Sequence, residues 1–135
     1  MDNFRNAAKA FIVKDGRLLM LKRRANDPHM PGAWDIPGGR LELGEDPYEG
    51  LKREAREEAN LNIEIIMPIS VHHFVRDDGQ KITLTIYWCK FLTSEIKLSE
   101  EHQEYKWVNL GQPEVELPKF FDQPINNFRK YVKNQ

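Results

Sequence analysis

The stretch Asp46-Pro47-Tyr48-Glu49-Gly50-Leu51-Lys52-Arg53-Glu54-Ala55-Arg56-Glu57-Glu58-Ala59-Asn60-Leu61 decides how the rest of this chain is read. Asp46 is a good N-cap, Pro47 suits the first helical position, and Glu49 stands where a capping box closes. The segment predicts a helix over 46–59, ending near Asn60, a residue that tolerates the left-handed turn. On a helical wheel Tyr48, Leu51, Ala55 and Ala59 form one apolar stripe that can dock on a sheet. Glu54, Glu57 and Glu58 fall within about 100° of one another on the neighbouring face. Three carboxylates at this spacing repel. Hard cations take oxygen ligands, and Mg²⁺ is commonly held by carboxylates together with substrate phosphates. The plain alternative is a solvated acidic face balanced by Lys52, Arg53 and Arg56.

Outward from the helix, the chain predicts mostly strands. Ala7 to Val13 and Arg17 to Lys22 flank Lys14-Asp15-Gly16, the pattern of a β-hairpin. Arg23 to Gly39 is rich in Pro and Gly and reads as a loop with a short strand at 34–36. Ile63 to Val75 and Lys81 to Leu92, either side of Asp77-Asp78-Gly79, form a long hairpin. A short strand at Tyr105 to Val108 and a short helix from about Pro124 complete the order. Such an order implies a mixed sheet covered on both faces.

Composition narrows the function. The 135 residues suit a single domain spanning 1–135, and 40% hydrophobic residues are enough for a core despite a mean hydropathy of −0.66. Twenty basic and twenty-one acidic side chains leave a net charge of −1, so no overall field recruits nucleic acid or an anionic membrane. No apolar run is long enough to span a bilayer. One cysteine, Cys89, and a start at Met1 without a leader pattern point to the cytoplasm. Cys89 reads as a buried hydrophobe. The four histidines, His29, His72, His73 and His102, lack a close metal-ligand spacing and read as packing. Trp34, Phe74, Tyr87 and Trp88 can stack on a base, but in strands they are more often core.

Gly39, five residues, Glu45, seven residues, then Arg53-Glu54-Ala55-Arg56-Glu57-Glu58-Ala59-Asn60-Leu61 resembles the box of the Nudix hydrolases. Six fixed residues at this spacing arise at a random start with a probability of roughly 10⁻⁷. Ala55 is smaller than the family's aliphatic and Asn60 replaces its glycine, but neither change removes an oxygen ligand. The flanks, Leu21 to Ala25 with His29-Met30, and Glu101-His102 with Tyr105-Lys106-Trp107, are similar to the MutT-like branch. The resemblance implies an α/β fold, an α/β/α sandwich around a mixed β-sheet. It also implies that Glu54, Glu57 and Glu58 bind Mg²⁺ (or Mn²⁺), with a backbone carbonyl of Gly38 or Gly39. Glu101 is the implied further ligand or general base, with Glu104 as its competitor. Glu45 and Arg53 read as a supporting ion pair.

Arg23 and Arg24 are candidates for neutralising phosphate oxygens, with one of the two solvated. Asp122, ahead of Pro124, matches a base-contacting position of the branch, with a helix cap as the alternative. The implied activity is metal-dependent hydrolysis of a nucleoside diphosphate linked to another moiety, foremost a nucleoside triphosphate giving the monophosphate and pyrophosphate. The alternative substrates are ADP-ribose or a nucleotide sugar. The ADP-ribose branch carries a proline beyond the box where this chain has Val75-Arg76-Asp77-Asp78-Gly79. A non-catalytic nucleotide-binding module is the rival from another class, set against a complete set of carboxylates. The expected partner is a small-molecule nucleotide, and a homodimer is left open.

Overall fold

The computed structural model describes residues 3–28, 30–92 and 95–133. Its strands are β1 (Phe4–Lys14), β2 (Arg17–Arg23), β3 (Trp34–Asp35), β4 (Gly38–Arg40), β5 (Ile63–Val75), β6 (Lys81–Phe91) and β7 (His102–Asn109). The helices are α1 (Pro47–Ala59) and α2 (Asp122–Lys133), the latter led in by a 3-10 turn at Lys119–Phe121. The sheet runs β3-β2-β1-β6-β5, with β4 also on β1 and β7 also on β2. It is mixed because β1 and β6 pair in parallel, whereas the other pairs are antiparallel.

Strands buried on both faces need apolar residues at successive positions, and the chain supplies them. Ala8, Ala10, Ile12, Leu19, Leu21 and Cys89 face one core with Leu51, Ala55 and Ala59 of α1. Phe11, Leu18, Met20, Ile86 and Trp88 face the other, where Phe128 of α2 packs its ring on Phe11 and Trp88. One helix on each face makes the expected α/β/α sandwich. Tyr48 departs from the apolar stripe: it is exposed and meets Tyr87 edge-on.

The β1–β2 hairpin turns at Asp15 and Gly16, both with positive φ, then splays after two residue pairs. Into this fork the segment 34–40 is wedged: β3 pairs with β2, β4 pairs with β1, and the N–H of Ala10 donates to Pro37 O at 2.8 Å. A loop with one short strand was expected here. Gly-Gly has little intrinsic strand preference, and β4 exists because β1 offers it an open edge. Other bounds differ from expectation, and β1 starts at Phe4 rather than Ala7. β7 starts at His102 rather than Tyr105, and α2 starts at Asp122 rather than Pro124.

Gly38 is where the wedge touches β1. Its φ is +127°, and a Cβ added there would lie 2.2 Å from Ala8 O and 2.6 Å from Lys9 Cα. Beyond β4, the loop to α1 is held by Arg53, whose Nε and Nη2 fork onto Glu45 at 2.7 and 2.9 Å. Glu45 Oε1 also accepts from the N–H of Glu42 at 3.0 Å. Arg53 and this N–H hold the Glu45 carboxyl down at about 2.

Two outcomes follow from these contacts. Gly38→Ala should cost about 3 kcal/mol or more, lowering the melting temperature by roughly 10 °C, because the clash is with backbone and cannot be relieved by a rotamer. A melt within about 2 °C of wild type would contradict this. For Glu45, the folded pKa lies below its ordinary value. The stability it adds is therefore present above about 4.5 and is lost as pH falls through that range toward about 2. Denaturant melts of wild type and Glu45→Gln should differ at pH 7 and converge toward pH 2.

Candidate active site

Helix α1 presents the site, and its ends are closed by its own sequence. Asp46 accepts from the N–H groups of Tyr48 and Glu49 at 2.8 and 3.1 Å. Glu49 does not mirror this as a closed box; it is exposed and faces Lys52 at 3.9 Å. Asn60 takes the left-handed conformation, φ 58°, and its N–H donates to Arg56 O at 3.0 Å. The asparagine thus makes the turn for which a glycine is the usual choice.

The three helix carboxylates have different surroundings. Glu58 is buried, 6% exposed, with the N–H of Gly38 at 3.3 and 3.4 Å from its two oxygens. Burial, then the adjoining Glu54 carboxyl, then the charge of Glu101 push its pKa well above the usual carboxylate range. Gly38 opposes this shift. Glu54 lies beside Gly39, where a Cβ would meet its carboxylate oxygens at 3.8 and 3.9 Å. Glu57 is largely solvated and takes Arg53 Nη1 at 3.0 Å. Arg53 also reaches Glu54 at 3.4 Å, so one guanidinium serves Glu45, Glu54 and Glu57. Among the described residues, no three Asp, Glu, His or Cys side chains converge on one point. The donor set nevertheless fits a hard cation: oxygen ligands only, with two carboxylates pressed together in a third one's field.

Glu101 follows a segment bound to the end of α1. The last carbonyls of a helix have no partner within it. Here the N–H of Ser99 donates to Glu58 O at 2.8 Å and that of Lys97 to Ala59 O at 3.0 Å. The strap leads to Glu101, whose charge is felt at the buried Glu58 and whose N–H lies 3.4 Å from Ser99 Oγ. Glu104, its competitor, lies within β7 and faces Lys22 at 3.7 Å.

The two arginines separate. Arg24 and Glu101 line an open cleft of about 590 Å³ with Asn26, Asp27, Pro28 and Glu100. Arg24 Nε also donates to Glu100 O. Arg23 turns inward instead, with Nη1 3.3 Å from Asp27 and Nη2 3.9 Å from Asp35. Asp35 is buried and takes Lys9 Nζ at 2.5 Å across the fork. This network was missed from sequence, where Lys9 is one cation in an apolar run and Asp35 sits among loop residues. His102 is also buried, 4% exposed, and burial and then Arg23 lower its pKa.

Asp122 is exposed in the first turn of α2. His72 contacts Ser70 and the ring of Phe120, and His73 contacts Thr83, so both pack on the sheet. Cys89 is buried, which pushes its thiol up to about 12. His29 lies outside the described residues. Gly50 was not singled out from sequence. A Cβ there would lie 2.6 Å from Leu41 and 2.8 Å from Glu45, so this glycine lets the loop seat on α1. A glycine within an otherwise strong helix was the available signal.

The comparisons with known proteins agree with this geometry. The NUDIX domain matches residues 3–130. A curated relative, "Nucleoside triphosphatase NudI" from Escherichia coli (strain K12), is 36% identical over 107 residues, covering 72% of this chain and 76% of that protein. The crystal structure of the MutT protein from Methanosarcina mazei Go1 superposes with a TM-score of 0.78 at 27% identity, covering 98% of this chain and 96% of that one. The MutT NUDIX hydrolase from Burkholderia pseudomallei shares the fold, with a TM-score of 0.78 at 22% identity, covering 93% and 98% of the two chains. With its box on α1 and its two-faced sheet, the chain belongs to the NUDIX family and is a Nudix hydrolase of the MutT-like kind.

Proposed function

We propose that this hydrolase cleaves a nucleoside triphosphate to the monophosphate and pyrophosphate with Mg²⁺ or Mn²⁺, in the cytoplasm. The observation that carries the reading is the approach of Glu54 to the buried Glu58 beside Gly38 and Gly39, within the field of Glu101. A fold gains nothing from pressing like charges together in a buried place. The printed name of the NudI relative supports the substrate class.

Glu54, Glu57, Glu58 and Glu101, with a backbone carbonyl of Gly38 or Gly39, would hold the cation. A bound divalent ion supplies Lewis acidity, spreading polyphosphate charge and lowering the pKa of a water. Glu101 takes the proton of the attacking water. The new P–O bond forms as the anhydride P–O bond breaks in line with it, and no covalent intermediate arises. Arg24, rather than the inward Arg23, meets phosphate oxygens in the cleft. Arg23 supports that rim from beneath. Arg53 holds Glu45 and keeps the loop seated on α1. Asp122, exposed at the head of α2, is the contact to the base, with a helix cap as the alternative.

Two experiments test the reading. Excess chelator should abolish turnover of a nucleoside triphosphate, and Glu58→Gln should lower it at least about 10²-fold. The same variant should melt no lower than wild type without metal, since burial and Glu54 already disfavour the charged form of Glu58 and the amide is neutral. A rate near wild type with saturating Mg²⁺ would remove Glu58 from the site. Separately, Glu101→Gln should slow turnover about 10²-fold and Glu104→Gln much less. The reverse order would transfer the role of base to Glu104.

A further inference from the structure

Asn60 fills the place at which the box has a glycine. Its φ of 58° lies in the left-handed region, which glycine enters freely and asparagine enters at some strain. Glycine would therefore close α1 at least as well. What asparagine adds is a side-chain amide, and here the amide is engaged: Nδ2 donates to Glu95 O at 3.2 Å. A glycine has no atom with which to make this contact.

Glu95 begins the strap, residues 95–101. At every second residue the strap meets the end of α1. Glu95 O takes Asn60 Nδ2, the N–H of Lys97 donates to Ala59 O at 3.0 Å, and that of Ser99 donates to Glu58 O at 2.8 Å. The residues between, Ile96 and Leu98, lean half-buried on the core that α1 covers. Ser99 then turns the chain, its O accepting from the N–H of His102 at 3.3 Å, where β7 starts. Glu101 stands within that turn and lines the cleft.

None of residues 95–101 is fully buried. A segment fastened by exposed hydrogen bonds and half-buried side chains opens more readily than a core. The backbone contacts at Ala59 and Glu58 are open to any sequence, so the Asn60 amide is the grip that this chain's own side chain adds at the helix end.

We infer that Asn60 is a positioning residue of this enzyme: its side-chain amide pins the start of the strap to the end of α1, and the strap holds Glu101 at the cleft. The inference rests on the role proposed above for Glu101. A misplacement of about 1 Å costs about 10²-fold in rate, so a much smaller one, of the size that one lost hydrogen bond permits, costs a few-fold.

The test uses Asn60→Gly, which keeps the left-handed turn and removes the amide. The variant should melt within about 3 °C of wild type. Without metal or nucleotide, amide hydrogen exchange at Lys97 and Ser99 should quicken about three- to tenfold, the scale of one hydrogen bond. The N–H of Leu61, which donates to Ala55 O at 3.1 Å at the turn itself, should keep its protection. With a nucleoside triphosphate and saturating Mg²⁺, kcat should fall about three- to tenfold and KM change less than about twofold. Asn60→Asp also tolerates the turn but offers only acceptors, and should quicken exchange at Lys97 and Ser99 at least as much.

In a Glu101→Gln background, Asn60→Gly should lower kcat by less than about twofold, because the group it positions is already gone. Unchanged exchange at Lys97 and Ser99, a wild-type kcat in Asn60→Gly, or a full further loss in the Glu101→Gln background would overturn the inference. Should Glu101→Gln keep the wild-type rate while Asn60→Gly quickens exchange along the strap, the proposed role of Glu101 falls and the pinning of the strap stands.

Discussion

The fork between β1 and β2 is the constraint on which the site depends. Two strands of a hairpin that part after two residue pairs leave facing edges of unpaired backbone, and segment 34–40 fills them. The fit is close enough that Gly38 has no room for a side chain against Ala8 and Lys9. That contact directs the N–H of Gly38 at Glu58 and sets Gly39 beside Glu54. Buried backbone donors must find acceptors. Here a carboxylate of α1 is the acceptor, so pairing in the sheet and placement of the acidic cluster are one event.

The electrostatics of the cluster run against stability. Burial and the neighbouring carboxyl both disfavour a charged Glu58, and the N–H of Gly38 offsets only part of this. Arg53 limits the repulsion along the solvent side of the helix, where it serves Glu45, Glu54 and Glu57 together. Glu58 lies beyond its reach, in the part of the site where a cation would be most stabilising. Glu101 follows a strap bound to the open carbonyls of α1, and its charge adds to the field at Glu58. The helix therefore contributes side chains on one face and backbone acceptors at its end.

A second network lies beneath the cleft. Lys9, Asp35, Arg23 and Asp27 link β1, β3, β2 and the loop after β2, and His102 adds β7. These residues come from four separate stretches of sequence. Each alone looks like an ordinary polar residue, Lys9 within an apolar run and Asp35 among loop residues, and the splay of β1 from β2 gathers them.

Local physics made much of this protein legible. Asp46, Pro47 and Asn60 carry the helix ends in their own side-chain and backbone preferences, and the wheel separates Leu51, Ala55 and Ala59 from the glutamates without reference to a fold. The order of strands and helices implied a mixed sheet covered on both faces, and the two cores bear this out. The spacing from Gly39 to Glu58 carried the family. Other features required the folded chain. Strand β4 exists through pairing rather than propensity, and Gly50 matters only because Leu41 and Glu45 lie over it. That Arg24 lines the cleft while Arg23 turns to Asp27 and the buried Asp35 depends on the folded chain. Glu101 and Glu104 are chemically identical three residues apart, and only the folded chain sets the charge of one in the field of Glu58 and turns the other to Lys22. Caps, periodicity and motif spacing are set by neighbours along the chain, so the sequence by itself determined them. Edge pairing, register and burial depend on residues distant in sequence, and only the tertiary structure decided those.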